Sequence, residues 1–223
     1  MANVAASEVG FFLDGKRKDQ RAWTATDAKA VPIIVSTGEV DSNDTAFGFS
    51  SAAGFENWLA KQPFASEYGK AEALLNRTPK ELSPQKEKEI SVLQADAVAR
   101  YTNDFAKILG DAKVSVTDAH AVRELVTNFN PLTGPLVHSA LLYEHINDQG
   151  RWLFLPSWWS WPRLSWLLFA DTCSSVQTLM SWALLWEHPW YGGRRIVIQP
   201  AKNVNIDRYP YYFNDMASSA VTW

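Results

Sequence analysis

The sequence predicts an α+β chain, mainly helical over residues 1–135 and all-β over 141–223, and three observations carry that expectation. Apolar residues recur at steps of three and four through much of the first half. Pro131, Gly134 and Pro135 then interrupt periodic structure within five residues. Beyond them the chain repeats itself at an offset of 43 to 44 residues. The full length, 223 residues, is enough for one large core or two small ones.

Taken in order, Val31-Pro32-Ile33-Ile34-Val35 is a short β-branched run closed by Ser36-Thr37-Gly38, a strand with proline near its start. Phe55, Trp58 and Leu59 after Ser50-Ser51 predict a short helix. Thr78-Pro79-Lys80-Glu81 reads as a capping box, and Ser83-Pro84 offers a second helix start just after it. The segment that follows places Ile90, Leu93, Ala97, Tyr101, Phe105 and Ile108 on one stripe, with Gly110 expected to stop the helix. Thr117-Asp118 caps another helix, whose buried face is Ala121, Val122, Leu125 and Phe129, ended by Asn130-Pro131.

The second half carries the repeat. Leu141-Leu142-Tyr143-Glu144-His145 returns as Leu184-Leu185-Trp186-Glu187-His188. Gly150-Arg151 returns as Gly193-Arg194, and Phe169-Ala170-Asp171-Thr172-Cys173-Ser174-Ser175 as Phe213-Asn214-Asp215-Met216-Ala217-Ser218-Ser219. Three blocks in the same order are a duplication. Each copy (about 141–182 and 184–223) is too small to bury its own apolar face, so the two should pack together. Each reads as four short strands showing apolar alternation, which is Greek-key size, and two such units make a β-sandwich.

These residues resemble the βγ-crystallin superfamily, whose Greek keys carry an aromatic, four residues, a second aromatic, one residue and a glycine. Trp186, Tyr191 and Gly193 match in the second copy; Tyr143 and Gly150 match in the first, where Asp148 replaces the second aromatic. The resemblance covers residues 141 to 223 and says nothing of 1 to 135. It implies calcium binding through a six-residue signature of two Asp/Asn, two variable residues, Ser or Thr, and Ser. Asn214 to Ser219 fits every position, and Ala170 to Ser175 all but the first. By resemblance, Asp171 and Ser174 serve one site and Asp215 and Ser218 the other, with carbonyls lent by Thr172, Met216 and the hairpins near Glu144 and Glu187. Oxygen donors of this kind suit calcium, a hard cation. The same serine pairs equally suit a structural role, tying loops by side-chain to backbone hydrogen bonds.

No enzyme is expected. Gly48-Phe49-Ser50-Ser51-Ala52 is a poor nucleophile elbow, lacking the final glycine and a strong preceding strand. Cys173 reads as a packed small residue, and His145 and His188 recur because the fold duplicated rather than as transition-metal ligands. A net charge of −3 advertises no nucleic-acid partner. No apolar stretch is long enough to span a bilayer, and the N-terminus has no signal-peptide pattern, so a soluble, cytoplasmic protein is the expectation. Nine of the eleven tryptophans lie from Trp152 onward. Trp158, Trp159 and Trp161, between two prolines, cannot all face one core. They are expected to be buried against the helical half; the alternative is a recognition loop for a carbohydrate, a protein or a membrane surface.

Overall fold

The computed structural model describes residues 10–37, 45–78, 82–128 and 138–223. The second half holds eight strands, four per copy: β5 (Ser139–His145), β6 (Gln149–Pro156), β7 (Trp159–Trp161) and β8 (Ser175–Thr178), then β9 (Ala183–His188), β10 (Gly192–Ile198), β11 (Asn203–Asn205) and β12 (Ser219–Thr222). One sheet runs β11-β8-β5-β6, and the other contains β10-β9-β12-β7. Each copy therefore lends its third strand to the other copy's sheet, and neither sheet is complete without both.

The first half adds strands as well as helices. Four strands, β1 (Gly10–Leu13), β2 (Lys16–Lys18), β3 (Ile33–Thr37) and β4 (Thr45–Phe49), extend the second sheet to eight in the order β2-β1-β4-β3-β10-β9-β12-β7. The join is parallel, with Ile33 opposite Arg195 and Ser36 opposite Ile198. Pairing with β3 covers the strand edge that β10 would otherwise expose. Residues on both sides of 131–135 thus share a sheet; those five residues lie outside the described ones.

Helices cover both outer faces. A short α1 (Ala25–Lys29) is capped by Thr24 and Asp27. Two helices, α2 (Ala52–Leu59) and α3 (Ala65–Arg77), put Phe55, Leu59, Tyr68 and Ala71 against Val35, Leu184, Trp186, Val197 and Val221 of the eight-stranded sheet. On the four-stranded sheet, α4 (Pro84–Ala112) and α5 (Ala119–Asn128) put Phe105, Leu109, Val122 and Val126 against Leu141, Tyr143 and Phe154. Between the sheets lie Leu142, Leu155, Val176, Leu185, Ile196, Ile198 and Ala220. The order of layers is helix, sheet, sheet, helix. Leu141-Leu142-Tyr143 and Ala183-Leu184-Leu185-Trp186 are accordingly continuous apolar runs and not the alternation expected, because neither face of these strands meets water.

Several local expectations are corrected. Ser83 does cap α4, accepting from Lys86 N, and Pro84 opens it. Thr78 instead ends α3, and the rest of the supposed capping box, residues 79–81, lies outside the described residues. Gly110 does not stop α4, which runs to Ala112 and ends at Lys113 in the left-handed region, φ 55°. The buried residues of α4 are Gln94, Ala97, Val98, Phe105 and Leu109, where the helix packs on the sandwich, and Leu93 is 65% exposed. Val122 and Val126 are the buried residues of α5, while Phe129 lies outside the described residues. A strand, β4, does precede Ser50-Ser51, but Ser51 caps α2 and Ser50 has no left-handed backbone to present a nucleophile.

Candidate functional site

The two hairpins that open the copies are built alike. Gly150 and Gly193 have φ of 79° and 76°, and a Cβ there would meet the His145 or His188 ring within 3 Å. Only glycine reaches this turn without strain and clash. The Glu144 carboxylate accepts from Arg151 N and the Glu187 carboxylate from Arg194 N, both at 3.2 Å, which closes each hairpin. The acidic side chains are thus committed to the turn.

The arginines explain the recurring Gly-Arg pair. Arg151 lies over the Phe169 ring and donates to the Leu168 carbonyl at 2.7 Å. Arg194 lies over Phe213 and donates to the Tyr212 carbonyl at 3.1 Å. Each arginine braces the loop that leads into its copy's signature. Arg194 is buried and also donates to the Ala28 carbonyl at 2.9 Å, so it ties α1 to the second copy.

The two signature loops run beside each other. Asp171 and Asp215 both take the left-handed conformation, φ 53° and 51°. Asp171 N donates to the Ala217 carbonyl (3.0 Å) and Asp215 N to the Cys173 carbonyl (3.1 Å). Ser174 Oγ donates to the Glu144 carbonyl at 2.7 Å, and Ser218 Oγ to Asp171 Oδ1 at 2.8 Å. The hydroxyl of one copy is thereby paired with the carboxylate of the other. Resemblance had placed Asp171 with Ser174 and Asp215 with Ser218; exchange between copies brings Asp171 to Ser218 instead. Asp171, Glu187, His188, Asp215, Met216 and Ser218 line one open cleft of about 440 Å³. Thr172 turns its hydroxyl to the Phe169 carbonyl (3.0 Å), and Asn214 Nδ2 donates to Asp215 Oδ2 (2.7 Å).

The second serine of each pair is structural. Ser175 Oγ and Ser219 Oγ donate to the His145 and His188 carbonyls, both at 2.7 Å, and accept from Asp148 N and Tyr191 N, both at 3.1 Å. They staple the hairpin to the signature loop.

Cys173 is fully buried, burial pushes its thiol far above the ordinary range, and its Sγ–H points to the Ser175 carbonyl. That environment keeps it a thiol. Among the described residues no three His, Cys, Asp or Glu gather as a metal cluster. Asp148 takes the conformation of its counterpart Tyr191 (φ 60° and 62°) but is a buried carboxylate. Its Oδ2 accepts from Asn203, while Oδ1 has no partner. Burial raises its titration above the ordinary carboxylate range, against the pull of the Asn203 and Ser175 hydrogen bonds.

The tryptophan loop splits three ways. Trp161 is fully buried between the sheets, Trp159 stacks on it at 5.2 Å, and Trp158 is 57% exposed. What faces the helices is Ser160, which meets Thr78 Oγ1 at 2.7 Å and accepts from Gln94 Nε2 at 2.9 Å. The indoles are therefore not buried against the helical half as expected, because alternation along β7 turns Trp159 and Trp161 the other way.

Over about 40% of its length the chain is similar to βγ-crystallin domains. A domain solved in work on the evolution of the eye-lens βγ-crystallin fold is 20% identical, with 42% of this chain and 93% of that one covered and a TM-score of 0.37. A βγ-crystallin from Ciona intestinalis is 21% identical over 38% of this chain and 99% of its own, TM-score 0.35. One from an archaeon is 21% identical over 39% and 99%, TM-score 0.32. No family model and no curated protein matches the chain. Among the described residues no helix is long and apolar enough to cross a membrane.

Proposed function

We propose that this chain is a non-enzymatic calcium-binding protein in which the ion links the two Greek keys. The observation that carries the reading is the Ser218–Asp171 pair, a hydroxyl and a carboxylate from different copies 2.8 Å apart in a cleft. Oxygens this close suit neighbouring positions on a cation that holds them at about 2.3–2.6 Å. Asp171 Oδ1, Ser218 Oγ and the carbonyls of Glu187 and Thr172 would hold one ion. Ser174 Oγ and the carbonyl of Glu144, with Asp215 and the carbonyl of Met216, would hold the other; Asn214 orients Asp215. Every donor is a hard oxygen, which favours calcium over zinc or copper. Bound to both copies, the ion would resist their separation.

Few formal charges face each site, so the affinity expected is modest, between about micromolar and millimolar. Calorimetric titration of calcium into the full chain should give a saturable isotherm in that range. Asp171→Ala and Ser218→Ala should weaken the same binding event. An isotherm without heat, or one unchanged by both Asp171→Ala and Asp215→Ala, would overturn the ligand assignment.

A further inference from the structure

A second concave site lies on the opposite loop cluster and shares no lining residue with the signature cleft. It is a pocket of about 300 Å³, lined among others by Trp158, Trp182, Trp223, Met180, Glu67 and His138. Its floor is rigid. Trp182 and Trp223 stack face to face at 5.5 Å and 10°, Phe64 packs on Trp182 at 4.9 Å, and Trp223 Nε1 donates to the Glu67 carbonyl at 2.8 Å.

Trp158 forms the open side, and packing does not account for it. Its φ is 65°, a conformation that costs a bulky side chain and that glycine or asparagine would take with less strain. The backbone is held there by Trp158 N donating to the Thr222 carbonyl at 2.7 Å, while the residue stays exposed. The fold thus holds an indole face out beside a preformed aromatic wall.

The polar groups say what kind of ligand fits. Both Glu67 carboxylate oxygens accept from Lys70 Nζ at 2.7 Å, so its charge is already balanced. His138 Nδ1 bonds to the Met180 carbonyl at 3.0 Å, which puts a proton on Nδ1, so that Nε2 is the acceptor of the neutral ring. The pocket therefore offers acceptors without net charge beside an aromatic face. An ammonium ligand would want the uncompensated carboxylate that Lys70 removes. A bilayer would want a broad convex apolar surface, and this is a concavity with an ion pair at its edge.

We propose that this pocket is a binding subsite for a neutral saccharide. One pyranose ring stacks its C–H face, which carries partial positive charge, on the negative π-face of Trp158. Its hydroxyls donate to Glu67 and to His138 Nε2. The volume suits a single ring at the small end of ligand pockets.

The test is saturation-transfer NMR and indole fluorescence on the full chain, with cellotetraose, chitotetraose, maltotetraose, xylotetraose and mannotetraose as probes. Choline and mixed phosphatidylcholine–phosphatidylglycerol vesicles serve as competing chemistries. At least one oligosaccharide should receive saturation. Trp158→Ala should weaken that binding about tenfold or more while melting stays unchanged, and Trp158→Tyr should retain most of it. Transfer to none of the five sugars, transfer indifferent to Trp158→Ala, or a response to choline or vesicles alone would overturn the proposal. Running each titration in calcium and in EDTA keeps this outcome separate from the calcium reading.

Discussion

Asp148 shows how one residue departs from a duplicated plan. Its backbone and its bond to Ser175 copy those of Tyr191 and Ser219, yet it buries a carboxyl where the second copy sets a half-buried ring edge-on to Trp186. Burial holds its folded-state titration above the unfolded value of about 4. The folded chain therefore keeps a proton that the unfolded chain has released. That contribution to stability is complete below about pH 4 and is lost as pH rises through the folded value. Asp148→Asn keeps an acceptor for Asn203 and a residue tolerant of positive φ. It should raise stability at neutral pH by about 1 kcal/mol and flatten the dependence on pH, read from thermal melts between acidic and neutral buffers. A variant less stable than wild type at neutral pH would contradict this account. The substitution itself was legible in the sequence as a broken aromatic pattern. The lost partner was not, because burial depends on Asn203 and Ser175, which lie 55 and 27 residues away.

Three helix starts were legible from their capping side chains. Ser83-Pro84, Ser51 and Asp118 start helices as expected, and the repeat marks eight strands in two sets of four. What the sequence could not show is which strand joins which sheet. The exchange of β7 and β11 decides that Ser218 meets Asp171, so the site's residues were readable but their pairing was not. The loop ending in β7 makes the same point. Trp158, Trp159 and Trp161 look equivalent in sequence, and one strand's alternation separates them. Trp161→Ala should cost about 3–5 kcal/mol, because it empties the space between the sheets. Trp158→Ala should stay within about 0.5 kcal/mol, as for a surface substitution. Chemical denaturation of both variants measures the difference, and equal losses would mean that the loop packs as a unit.

The whole molecule is a Greek-key sandwich completed by the rest of its chain. Neither outer face is polar, since Leu184, Trp186 and Val221 lie under α2 and α3 while Leu141, Tyr143 and Phe154 lie under α4 and α5. The edge of β10 is bonded to β3. A fragment of residues 138–223 alone should therefore bind hydrophobic dyes and self-associate, which light scattering against the full chain would reveal. A soluble, monomeric fragment would show that the helical layers are dispensable. The continuous apolar strands carried this information in the sequence, but helix cover and a second sheet leave the same signature on a strand. The central claim is that calcium joins the two copies across their signature loops, and an ion bound only to the folded chain must stabilise it. At 100 times the dissociation constant the gain should be about 2.7 kcal/mol. The direct measurement is thermal melting of the full chain in saturating calcium and in EDTA, repeated with Asp171→Ala. The account predicts a higher melting temperature in calcium for the wild type and a smaller difference in the variant; identical wild-type melts in calcium and in EDTA would contradict it.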